Sequence, residues 1–82
     1  MEKQIPNLPT FLKNFEAQFD EAEAGSILAE TTFRDLEEWS SMHALVVMAS
    51  FDWDYGITLS AEEIRGATTV GDLYHLVCQK LS

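Results

Sequence analysis

The side chains best placed to do chemistry are the adjacent hydroxyls of Trp39-Ser40-Ser41-Met42, which stand at the mouth of the most apolar run in the sequence, Met42 to Tyr55. A serine just before such a run can cap the first backbone amides of a helix. The same amides favour an anionic substituent on a neighbouring hydroxyl. The tetrapeptide therefore has two readings. Either both serines cap a helix, or one is exposed for covalent modification, with Met42 as an apolar guide for a modifying enzyme or a tethered chain.

Other groups offer less. Glu37-Glu38, and Asp52 with Asp54, are paired carboxylates, and a solvated acidic face accounts for them because nothing nearby would split their protonation behaviour. His75 and Cys78, three residues apart, could share a metal, but two ligands make a poor site and His43 is distant in sequence. No metal site is expected. The glycines at 25, 56, 66 and 71 form neither a phosphate-binding loop nor a dinucleotide fingerprint, and no Gly-x-Ser-x-Gly elbow occurs. The chain is not expected to be an enzyme.

Elements that could position the serines follow from length and pattern. With 82 residues, 46% of them hydrophobic, the chain makes one domain, residues 1–82, with a flexible leader over 1–8. Its single cysteine, Cys78, excludes an intrachain disulfide, so packing alone must hold the fold. Fourteen acids against five bases give a net charge of −9, and Lys3, Lys13, Arg34, Arg65 and Lys80 are scattered. Nucleic acid and anionic membranes need a clustered cationic footprint, so neither is an expected partner. The prolines of Met1 to Thr10 and the lack of any bilayer-length apolar run argue against a signal peptide and against stable membrane insertion. A cytoplasmic monomer is expected, docking on partners with basic patches.

Leu12, Phe15 and Phe19 fall at helical spacing and predict a first helix over about 9–20, with Thr10 as its cap. Asp20 to Thr32 reads as a long ordered loop, anchored to the core by Phe33 and Leu36. Ser40 starts a second helix over 41–55, with Ala44, Val47, Phe51 and Tyr55 on one stripe, while Leu45, Val46, Ala49 and Trp53 spread apolar surface over other sides. Gly56 ends it. Ser60 and Glu63 have capping-box spacing and open a short helix closed by Gly66. Thr69 to Asp72 offers a second such start, from which Leu73, Val77 and Leu81 continue a stripe to the end. The expected fold is all-α, a four-helix bundle with a short third helix.

From Phe33 to Leu76 the chain resembles the acyl carrier proteins, four-helix carriers that hold substrates on a 4′-phosphopantetheine arm. Phe33-Arg34-Asp35-Leu36 matches that family's aromatic before an Asp-Leu pair, Tyr55-Gly56-Ile57 its turn after helix two, and Thr68-Thr69-Val70-Gly71-Asp72-Leu73 the start of its last helix. Counting back without a gap from Gly56 puts Ser41 at the modified position. The family's Asp-Ser-Leu reads Ser40-Ser41-Met42 here, a serine cap for a charged one and a flexible thioether for a leucine.

The resemblance implies a carrier whose cofactor, covalent 4′-phosphopantetheine, is attached to Ser41 and flanked by Ser40 and Met42. The arm's thiol would carry acyl groups as thioesters. A phosphopantetheinyl transferase and acyl-processing enzymes of a lipid, polyketide-like or envelope pathway would be its partners. Helical spacing and resemblance together aim Phe51, Leu59, Ile64 and Leu73 at an acyl pocket between helices two, three and four. Where familiar carriers present glutamates beside the serine, this chain offers Leu45, Val46 and Ala49, with Asp52 further on, as a partner surface. An aminoacyl or peptidyl carrier, or an unmodified adaptor that only binds proteins, would use the same fold. The charge alone predicts that added sodium chloride or magnesium raises the melting temperature, because screening relieves self-repulsion. A flat response would mean that the acids are compensated locally.

Overall fold

A computed structural model describes residues 5–20 and 22–81. These form four α-helices, α1 (Leu8–Glu16), α2 (Ser41–Tyr55), α3 (Ala61–Gly66) and α4 (Val70–Leu81), with one 3-10 turn at Phe33–Asp35. The all-α bundle with its short third helix is thus the observed architecture. Of the leader expected over 1–8, residues 1–4 lie outside the described residues. Its remainder is tied down: the Pro6 carbonyl accepts from the Tyr74 hydroxyl at 2.8 Å, and Leu8 is already helical.

The first helix begins and ends earlier than its apolar spacing predicts. Its cap is Asn7 rather than Thr10; the Asn7 side chain accepts from the Thr10 amide at 2.9 Å, with Pro9 in the first turn where no amide partner is needed. Beyond Glu16 the chain tightens into i to i+3 bonds, Gln18 to Phe15 and Phe19 to Glu16. Phe19 therefore stays buried although it lies outside the helix. The Glu16 carboxylate accepts from the Gly25 amide at 2.9 Å and so fastens the following loop.

The core gathers Phe11, Phe15, Phe33, Val47, Leu59, Val70, Leu73 and Val77 with essentially no exposure. Phe11 is its hub. Its ring lies 6.3 Å from Phe15 on its own helix, 5.5 Å from Phe51 and 6.1 Å from Tyr55 on α2, and 5.2 Å from Tyr74 on α4. Such offset and tilted aromatic contacts add to the burial of the rings themselves. Ile27, Ile57 and Ala67 seal the core from the loops.

The long loop also pairs with the segment between α3 and α4. A single antiparallel bridge joins Thr32 to Thr69, and the amides of Val70 and Gly71 donate to the carbonyls of Thr31 and Ala29 at 2.9 and 2.8 Å. A Cβ on Gly71 would stand 3.1 Å from that Ala29 oxygen, so any larger residue would push the two segments apart by a few tenths of an ångström. At the other end of α2, Gly56 takes the left-handed conformation, φ 69°, and closes the helix through its amide to the Asp52 carbonyl.

Both C-terminal helices start on reciprocal caps. Ser60 Oγ accepts from the Glu63 amide while Glu63 Oε1 accepts from the Ser60 amide, at 3.1 and 2.9 Å. Asp72 Oδ2 accepts from the amides of Thr69 and Thr68, and Thr69 Oγ1 from the amide of Asp72. These backbone bonds hold both carboxyls below their ordinary values; for Glu63 the Ser60 amide acts first and Lys80, 3.1 Å away, adds to it. A depressed folded-state value stabilises the fold above the unfolded value and ceases to do so as pH falls through the folded one. Asp72→Asn should therefore lower the melting temperature at neutral pH, and its gap from the parent should close as the pH drops below 3.8. Thermal melts of the two proteins across that range check it; a gap of constant size would mean that the amide caps as well as the carboxylate.

Candidate functional site

The head of α2 separates the two serines. Ser40 is extended, with φ −155° and ψ 173°, and its Oγ accepts from the His43 amide at 3.1 Å. It is the N-cap, and its own carbonyl starts the helical ladder by accepting from Ala44. Ser41 is the first residue inside the helix. It is exposed, and no other group among the described residues engages its hydroxyl. The two hydroxyls therefore differ: Ser40 caps the helix, and Ser41 stays exposed.

Rings brace this corner. His43 stacks on Phe19 with centroids 4.2 Å apart, and Trp39 meets the buried Phe33 edge-on at 4.8 Å. The Phe33 ring also receives the Arg34 guanidinium, 4.9 Å from its centroid. Beside the serines opens a groove of about 530 Å³. Trp39, Ala44, Leu45 and Met48 line one side, Ala61 and Ile64 of α3 the other, with Ser40, Ser41, Arg34 and Arg65 completing the wall. Two of the chain's five cations therefore flank a groove that also holds Ser41.

The expected pocket residues are placed differently from one another. Ile64 lines the groove, whereas Phe51, Leu59 and Leu73 are packed into the core beneath it and do not reach the groove wall. Phe51 is held there by the rings of Phe11 and Tyr55. The expected surface residues Leu45, Val46, Ala49 and Asp52 are all exposed, as is Met42. His75 is exposed and Cys78 half-buried on α4; no group of three or more His, Cys, Asp or Glu side chains among the described residues is placed to hold a metal.

Arg34 is the site residue that sequence reasoning missed. Its guanidinium donates to the carbonyls of Ile64, Arg65 and Ala67 at 2.8, 2.7 and 2.6 Å, filling the acceptor positions at the C-terminal end of α3. A helix of six residues has little stability of its own. The arginine pins it across the groove from Ser41. Trp39, Ala44, Met48, Ala61 and Arg65 were likewise not singled out for the groove, since only the fold brings them together.

No family model matches the chain, and no curated protein matches it. Among solved structures, the solution NMR structure of holo acyl carrier protein from Geobacter metallireducens is similar, with a TM-score of 0.76 and 29% identity over 93% of this chain and 86% of that one. The chain has the acyl carrier protein fold, and its likeness is to a carrier rather than to an enzyme. No helix among the described residues is long and apolar enough to cross a membrane.

Arg34→Ala should destabilise the protein by about 1–3 kcal/mol, the range for a lost charged hydrogen-bond donor. It should also raise amide exchange selectively in Ala61–Gly66. Unchanged exchange there would mean that core contacts, not the guanidinium, hold α3.

Proposed function

We propose that the chain is an acyl carrier, with a 4′-phosphopantetheine arm joined to Ser41 through a phosphodiester and acyl intermediates held on the arm's thiol as thioesters. One observation carries the reading: Ser40 takes the cap of α2, which leaves the Ser41 hydroxyl unengaged and exposed beside an apolar groove. In the transfer the serine oxygen bonds to the phosphorus of a diphosphate donor of the arm, the donor's P–O–P bond breaks and its other phosphate leaves; an oxygen that already accepts from a backbone amide, as Ser40 Oγ does, is the weaker nucleophile for that attack. The helix N-terminus favours the phosphodiester charge that results. Arg65, exposed in the groove wall and with its side chain engaged by no other group among the described residues, supplies a cation for that phosphate.

In this reading a loaded acyl chain starts along Trp39, Met48 and Ile64. A chain of medium length goes deeper only by displacing Phe51, Leu59 and Leu73. Sheltering each methylene gains up to ~0.8 kcal/mol, while parting a packed core costs typically ~1–3 kcal/mol, so the longer chain repays the opening and a short one does not. The tether raises the substrate's effective concentration at each docked enzyme. The partners are a phosphopantetheinyl transferase and acyl-processing enzymes of a lipid, polyketide-like or envelope pathway. The compartment is the cytoplasm.

Coexpression with a phosphopantetheinyl transferase, followed by intact-mass measurement, tests the assignment. The parent chain and Ser40→Ala should gain the mass of the arm, with Ser40→Ala less stable by about 1 kcal/mol for its lost cap. Ser41→Ala should gain nothing and keep its stability. A shift that survives Ser41→Ala and vanishes with Ser40→Ala would move the site by one residue. No shift in the parent would leave an unmodified adaptor.

A further inference from the structure

The groove beside Ser41 is charged in the opposite sense to the chain that forms it. Fourteen side chains of the sequence are acidic and five basic, yet the groove wall carries Arg34 and Arg65 with no aspartate or glutamate. Two smaller clefts differ in this respect: one is lined by Glu23, Glu37 and Glu38, the other by Lys13 together with Glu16. Among the described residues neither groove arginine has a carboxylate partner. A cleft lined by one sign of charge draws in ligands of the other.

Arg34 is held in place without being neutralised. Its bonds to the carbonyls of Ile64, Arg65 and Ala67 use three of the five N–H groups of a guanidinium, and a carbonyl is an uncharged acceptor. Its side chain remains exposed, and a guanidinium fork fixed in this way suits a carboxylate. Apart from the two serines, the rest of the wall is apolar: Trp39, Ala44, Leu45 and Met48 on one side, Ala61 and Ile64 on the other. Beneath it lies packed core, where an unpaired carboxylate would lose far more hydration than its methylenes regain. An anionic chain end therefore stops in the groove. In the carrier reading Arg65 meets the single charge of the phosphodiester, which leaves Arg34 for the cargo.

We propose that the groove selects acyl cargo that ends in a carboxylate, the half-thioester of a short dicarboxylic acid, with its methylenes along Trp39, Met48 and Ile64 and its carboxylate on Arg34. The proposal deepens the carrier reading and rests on it for the tether that delivers the cargo.

The test compares two acyl groups of equal chain length, glutaryl, which ends in a carboxylate, and pentanoyl, which ends in a methyl. Each is loaded onto the full chain from its coenzyme A thioester by a phosphopantetheinyl transferase, and amide exchange is followed in Ala61–Gly66. Glutaryl should slow exchange there about fivefold relative to pentanoyl, the upper range for a partly exposed ion pair, and added sodium chloride should shrink the ratio. Arg34→Gln should abolish the difference; each variant has its own pentanoyl reference, so loosening of α3 by the substitution cancels. Lys13→Gln removes the same charge from another cleft and should leave the ratio as it is in the parent. Equal exchange with the two cargoes in the parent would overturn the proposal and give both arginines to the phosphodiester. A ratio that persists in Arg34→Gln, or is lost equally in Lys13→Gln, would overturn it in favour of net charge. If the parent gains no arm, the carrier reading falls and the groove is tested alone, by NMR titration of the unmodified chain with free glutaryl-pantetheine and pentanoyl-pantetheine. The glutaryl compound should then bind about fivefold tighter, with shifts at Trp39, Met48 and Ile64, and equal affinities would overturn the proposal.

Discussion

The Phe11 ring touches aromatic rings from α1, α2 and α4 at once, and everything else in this small bundle is arranged around that contact. A domain this short, with no disulfide, has one core and no reserve. Truncating a fully buried phenylalanine typically removes about 3–5 kcal/mol, a large share of the roughly 5–15 kcal/mol that holds a domain together. The leading segment therefore does more than cover the bundle. Through Pro6 and Tyr74, and through Asn14 donating to the Tyr55 hydroxyl at 3.2 Å, it clamps the two long helices at the end remote from the serines.

At the serine end the arrangement is different in kind. There the fold leaves space, and the polar contacts of Arg34 act together with a second set of rings to frame it. Arg34 draws the end of α3 toward the turn that precedes α2, while Trp39 and His43 prop the head of α2 against Phe33 and Phe19. The result is a groove with braced edges over a packed floor. A guest of moderate size meets a preformed entrance, but a core that must move before admitting more.

Features with a local cause were legible in the sequence. The starts of α2, α3 and α4 were readable because Ser40, Ser60 and Thr69 cap within three residues of themselves, and Gly56 marks a left-handed stop that few other residues adopt. The buried stripe of α2 followed from its period. The first helix was misjudged at both ends because the spacing of Leu12, Phe15 and Phe19 drew its start to Thr10 although Asn7 is the stronger cap, and because Phe19 keeps the helical spacing while the backbone beneath it has already tightened. Arg34 gave no signal at all: its partners lie 30 or more residues away, and a scattered arginine looks like surface charge. The pocket residues were legible as apolar and inward but not as core rather than groove, a distinction that depends on how Phe51 meets Phe11.

The division of labour between Ser40 and Ser41 has a further consequence, on the scale of descent. One hydroxyl steadies the helix and the proposed chemistry falls to its neighbour, so natural selection acts on the two separately. A lineage could lose the free hydroxyl in a single codon change and inherit an intact bundle, still presenting the outer face of α2. In such a fold a modified shuttle and an unmodified scaffold stand one mutation apart.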